Sequence, residues 1–226
     1  MIKNQRILEL LQAYKYDEAE KALKENIREE LQKSSGTKSS DAAIIKRLVK
    51  AAEKQYNQWT AGRFSKYHPF TVSGVNYCGF TDGHYIIAGP DSCGYEAATD
   101  SDIIKMETFF TAGQNKIFTV DMQELRMFCK DKANKNHNNY MYAVKAPEGF
   151  AIAFNAKYML DCLDFAGVDH FLYSAENVTG CIKSPLLIEN EKEGKLCLCL
   201  PVNCTCSSAA DCKALEYMEK WRKNEL

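Results

Sequence analysis

The sequence has no long apolar run. No window approaches the roughly 18–20 apolar residues of a membrane span, and its first twenty residues, MIKNQRILELLQAYKYDEAE, carry charge throughout. A secretory signal needs an apolar stretch and a small-residue cleavage site, so neither an export signal nor a membrane partner is expected. The expected location is the cytoplasm. An excess of either charge is missing too: Lys and Arg number 29 against 30 Asp and Glu, a formal net charge of −1. Nucleic acid as a partner must therefore be argued from a local basic face. Proline is scarce, with 5 in 226 residues, while 46% of residues are hydrophobic and 26% charged. That is the balance of a globular chain with enough length for one or two cores.

Familiar catalytic signatures are absent as well. There is no phosphate-binding GxxxxGK[ST], no GxSxG and no HExxH, and His68, His84, His137 and His170 have no metal-ligand spacing. The expectation is a protein that is not an enzyme and uses no cofactor.

Cysteine, in contrast, is plentiful. Of ten, Cys78, Cys93, Cys129, Cys162 and Cys181 are scattered and read as small buried apolar residues. Cys197, Cys199, Cys204, Cys206 and Cys212 crowd the end of the chain and raise zinc. Structural zinc sites favour C-x2–4-C spacings over C-x-C, and Cys197 and Cys199 alternate inside an apolar strand. Packed thiols are the favoured reading and no metal ligand is assigned; a small zinc-binding domain is the third-ranked alternative.

Residues 1–40 read as an N-terminal helical segment, with Ile7, Leu10, Leu11, Leu23, Ile27 and Leu31 at helical spacing, followed by the linker KSSGTKSS. Asp41 reads as the cap of a helix over 42–59. Ile45, Leu48, Ala52, Tyr56 and Trp59 share one face, and Lys46, Arg47, Lys50 and Lys54 the other. Strands follow at HPFTV, VNYCGF and HYIIAG, joined by SG and TDG turns. KIFTV runs into a helix at DMQELRMFCKDK capped by Asp121, ANKNHNN reads as a loop, and YMYAV and FAIAF pair through KAPEG. Asn155 is placed to cap the next helix and Gly167 to stop it. HFLYS, CIKSPLLIE and KLCLCLPV read as the last strands, and 204–226 as a helical tail. The predicted class over 41–203 is α+β, antiparallel sheets with helices packed on one side.

The order of GFAIAFNAKYMLDCLDFAG, the earlier TDGHYIIAG and the later SPLLIE and GKLCLCLPV resembles the bacterial replicative sliding clamp, the beta subunit of DNA polymerase III. The resemblance covers roughly residues 41–203 and implies a DNA-clamp-like fold with helices toward a DNA channel and sheets outward. The family chain has three domains and closes as a dimer. This one has material for about one domain plus terminal helices, Tyr85 stands where the family has Arg after TDGH, and 25 residues follow Pro201.

The resemblance implies a non-enzymatic protein of DNA replication or an allied process, bound to double-stranded DNA, to polymerase or clamp-loader type peptides, or to both, and a possible homo-oligomer. Lys46, Arg47, Lys50 and Lys54 are the candidate phosphate contacts, with His84 beside the TDG turn as a further one. The same lysines also fit an ordinary solvated helix face, and His84 an ordinary hairpin edge. Leu198, Leu200, Pro201 and Val202 match the strand that in the family walls the partner-peptide pocket; equally, such a strand fits plain core. Asp161 and Asp164 on the helix after Asn155 would repel phosphate. The alternative function is a protein-interaction module on the clamp fold that binds no DNA.

Overall fold

The computed structural model describes residues 41–55, 62–99, 101–110, 113–136, 140–176, 178–204 and 206–225. The helices and linker expected over 1–40, and Tyr56 and Trp59, lie outside the described residues. The chain divides into two compact units, Met1–Ala43 and Ile44–Leu226. Of the first, only residues 41–43 are described, and they are helical. Asp41 is therefore already within the helix it was expected to cap.

The second unit is built on a seven-stranded antiparallel sheet in the order β1-β2-β3-β9-β8-β7-β4. Its strands are β1 (His68–Val72), β2 (Val75–Thr81), β3 (Tyr85–Gly89), β4 (Lys116–Thr119), β7 (His170–Tyr173), β8 (Leu186–Asn190) and β9 (Lys195–Cys199). A separate hairpin pairs β5 (Met141–Lys145) with β6 (Ala151–Asn155). The helices are α1 (residues 41–55), α2 (Met122–Lys130), α3 (Lys132–Asn136), α4 (Ala156–Ala166) and α5 (Lys213–Arg222).

Local chemistry sets the punctuation. Asp121 and Asn155 accept the first free N–H groups of α2 and α4. Gly167 ends α4 at φ 70°, in the left-handed region. Gly79 has another reason to be glycine: a Cβ there would stand 2.5 Å from Met106 Sδ and 2.7 Å from Phe70 Cε1.

Strands β3 and β9 are buried on both faces, and their alternation feeds two cores. Tyr85, Ile87, Cys197 and Cys199 join the main core with the helices, whereas Ile86, Ala88, Leu196 and Leu198 join a smaller one on the opposite face with Phe70 and Met106. Helix α4 packs on β9, β8 and β3 through Met159, Cys162, Leu163, Phe165 and Ala166. Burying its Met, Leu and Phe side chains contributes roughly 2 kcal/mol each.

Three boundaries differ from the sequence reading. Residues 133–136, expected as the start of a loop, belong to α3, where the Nδ2 of buried Asn134 donates to Phe128 O and its Oδ1 accepts from Tyr217 Oη on α5. The strand expected at CIKSPLLIE starts only after Pro185. The last strand stops at Cys199: Val202 N–H donates to Ala153 O, which carries the chain from β3 across to β6. The tail beyond is built into the body. Trp221 packs edge-on against Phe128 and donates to Asp131, and Arg222 pairs with Glu124.

Candidate functional site

The turn Thr81-Asp82-Gly83-His84 is tied by its own side chains. Thr81 Oγ1 donates to Tyr85 O at 2.7 Å and accepts from Gly83 N, while Asp82 Oδ1 accepts from His84 N and Tyr85 N. Burial pushes the Asp82 carboxyl up from its ordinary value, and the two N–H groups oppose that shift. Beyond the turn, Leu200 N–H donates to His84 O at 3.0 Å, continuing the β3-β9 ladder by one more bond. His84 and Leu200 are thereby placed side by side.

Beside them, on the sheet face away from the helices, lies a groove of about 210 Å³. Leu198 and Ile86 form its floor, Phe64, Ile104 and Phe109 its far wall, and Thr81, Gly83, His84, Tyr85 and Leu200 its rim. Phe109 and Leu200 are 45% and 39% exposed, large apolar side chains open at the mouth. The far wall has no regular strand, so polar anchors hold it. Arg63 donates to Asp102 O and Ile103 O, and Ile104 N–H donates to His68 Nδ1 at 3.1 Å. Burial holds the His68 imidazole down at about 4, so it is the neutral ring that accepts.

Of the residues expected to wall a peptide pocket, Leu198 and Leu200 are in this groove. Pro201 and Val202 are not: Pro201 bridges Phe154 and Val202 bonds Ala153, both on β6. His84, expected near DNA, is on the groove's rim, where it stacks on Tyr158 and its Nε2 is 3.0 Å from Gln55 Nε2 of α1. Phe64, Ile104 and Phe109 were not singled out from the sequence, because nothing in their local pattern brings them to β9.

The opposite sheet face carries the charged helices. Lys46, Arg47, Lys50 and Lys54 all project outward from α1, whose Ile44, Ile45, Leu48, Val49 and Ala52 are buried. Arg47 Nη2 meets Asp161 Oδ1 of α4 at 2.6 Å, and Tyr85 Oη donates to Asp161 Oδ2 at 3.4 Å. Burial raises the Asp161 carboxyl, opposed by the Arg47 guanidinium. Arg126 of α2 grips Asp164 through both terminal nitrogens. The acids expected to repel phosphate are thus each matched by an arginine, at the cost of committing Arg47. Lys46, Lys50 and Lys54 form no ion pair with any described residue.

No protein-family model matches the sequence, and no curated protein matches it either. Solved structures do match in fold. The DNA polymerase sliding clamp of Pseudomonas aeruginosa, crystallised with a ligand, superposes with a TM-score of 0.50 at 15% identity, over 74% of this chain and 64% of that one. The sliding clamp of Bacillus subtilis gives a TM-score of 0.47 at 13% identity over 74% and 63% of the two chains. The described unit has the fold of bacterial sliding clamps, and the chain spans less than two thirds of the clamp chains it matches.

Proposed function

We propose that this chain is a clamp-like binding protein of DNA replication or an allied process, and that it captures short linear peptides in the groove between the start of β3 and the end of β9. The observation that carries the reading is the convergence of Leu198, Leu200 and the His84 turn on one open apolar cleft backed by Phe64, Ile104 and Phe109. An apolar cleft of this size takes one or two aliphatic or aromatic anchors of an extended peptide, and backbone polar groups on the rim fix its direction.

A second surface favours DNA backbone. With Asp161 and Asp164 matched by arginines, Lys46, Lys50 and Lys54 are left to meet phosphates without reading sequence.

Fluorescence anisotropy with labelled peptides from the termini of replicative polymerase and clamp-loader subunits tests the first surface. Saturable binding that weakens about tenfold in Leu200→Ser, with the melting temperature nearly unchanged because Leu200 is a rim residue, is the expected result. Equal affinity in wild type and variant would remove the groove from the account.

A further inference from the structure

The register of the large sheet lines up one row of aliphatic side chains across neighbouring strands. Ile86 on β3 stands opposite Leu198 on β9, Leu198 opposite Leu187 on β8, Leu187 opposite Leu172 on β7, and Leu172 opposite Ile117 on β4. Successive strand residues point to opposite faces. Phe118 and Phe171, the next pair along β4 and β7, stack on each other in the main core, so Ile117 and Leu172 face the other way. Ile86 and Leu198 floor the groove, and Leu187 packs on the small core beneath it. The row is the groove floor carried on across the sheet face away from the helices.

Burial falls along the row. Ile86 and Leu198 are 6% and 1% exposed under the far wall, Leu187 and Leu172 are half-buried, and Ile117 is 64% exposed, the most open large apolar side chain among the described residues. Two residues along each strand the same face turns polar. Glu189 follows Leu187 on β8, and Thr119 pairs with His170 beyond Ile117 and Leu172. On the other side, the chain leaves the two outer strands at Asn115 and Ser174. Past β9 the apolar strip is therefore one side chain wide.

That width selects the shape of an occupant. The apolar face of an amphipathic helix spans roughly 100° and is too broad for such a strip, whereas an extended chain presents every second side chain in single file. Neighbouring strands lie about 4.8 Å apart, so the three steps from Leu198 to Ile117 cover roughly 14 Å. An extended peptide rises about 3.3 Å per residue and crosses that distance in about four, with residues i, i+2 and i+4 all facing the sheet. Charge adds a second constraint. Glu189, half-buried beside the strip, forms no ion pair with any described residue.

We propose that the groove is the deep end of a longer track, and that its partner is an extended peptide with apolar residues at i, i+2 and i+4 and a lysine or arginine between them. The first apolar residue seats over Leu198, between Phe109 and Leu200. The second lies over Leu187 and Leu172, and the third covers Ile117. A basic side chain at i+1 or i+3 lays its stem along the strip and brings its charge to the Glu189 carboxylate. This rests on the peptide reading of the groove and narrows it, because a peptide with one anchor uses the groove alone.

A phage-displayed library of random decapeptides, selected on the full chain and followed by anisotropy with the selected sequences as labelled synthetic peptides, tests the track. The selected sequences should share the alternating apolar triplet with a basic residue inside it. Ile117→Ser should weaken them about fivefold, Glu189→Lys about threefold and Leu200→Ser about tenfold, with melting temperatures near wild type because none of the three side chains is buried. Moving the third apolar residue from i+4 to i+3 turns it away from the sheet. That change should cost about as much as Ile117→Ser and cost nothing further in the Ile117→Ser chain.

Peptides that need Leu200 but carry a single anchor, and bind Ile117→Ser as tightly as wild type, overturn the track and leave the groove standing. A helical consensus with apolar residues at i, i+3 and i+7 overturns it too. Peptides indifferent to Leu200→Ser, or no selection at all, remove the groove and the track together. A chain that sediments as a dimer, becomes monomeric in Ile117→Ser and selects no peptide gives the strip to a second copy and likewise overturns the proposal.

Discussion

Arg47 on α1 and Asp161 on α4, 114 positions apart in the chain, form a 2.6 Å ion pair. Arg47 is 58% exposed at its side chain and Asp161 only 19%, so the pair is a half-wet one. It couples the two helices and turns an acidic spot on α4 into a neutral one. Because removing Arg47 alone leaves a largely buried carboxylate whose other partner among the described residues is the Tyr85 hydroxyl, Arg47→Ala should destabilise more than Arg47→Ala with Asp161→Asn. A double-mutant cycle by urea unfolding should return a coupling of about 0.5 kcal/mol, discounted for the exposed side of the pair.

The same pair ranks the basic residues for DNA. Charge reversal at Lys46, Lys50 and Lys54 together should abolish binding to a random-sequence duplex at low salt. Single removal at Lys50 should lower the salt slope by about one, and Arg47→Gln should change it less, because its charge already serves Asp161. Electrophoretic mobility shifts over a salt series measure both. A wild-type chain that ignores duplex DNA at low salt supports the interaction-module alternative.

Much of the local structure is legible in the sequence. The Asp121 and Asn155 caps, the Gly167 stop and the SG turn, where Ser73 and Gly74 both take positive φ, each follow from side chains within a few residues of one another. What could not be read is what depends on distant partners. KANKN has no apolar spacing, and the Asn134 within it finds Tyr217 on the tail helix. Lys46, Arg47, Lys50 and Lys54 look alike on a helical wheel, and only the fold singles out Arg47. The groove required β3 to pair with β9, Tyr85 opposite Cys199, and an irregular wall through Ile104 and Phe109.

His68 gives a pH signature. Its imidazole is held at about 4 by burial against an ordinary 6.5, so the folded state stays neutral where the unfolded chain takes up a proton. The stability it contributes is complete above pH 6.5 and is lost as pH falls from 6.5 toward 4, at about 1.4 kcal/mol per pH unit and roughly 3 kcal/mol in all. Urea unfolding between pH 7 and pH 5 should show this slope in wild type. His68→Gln should flatten it, whatever that substitution does to stability at pH 7.

The most direct measurement of the central claim is a methyl NMR titration of the Ile- and Leu-labelled chain with a polymerase-terminus peptide. The account predicts that shifts concentrate at Ile86, Ile104, Leu198 and Leu200, while Ile44, Ile45 and Leu48 beneath the helix face stay in place. Shifts confined to the helix side, or none at saturating peptide, would contradict it.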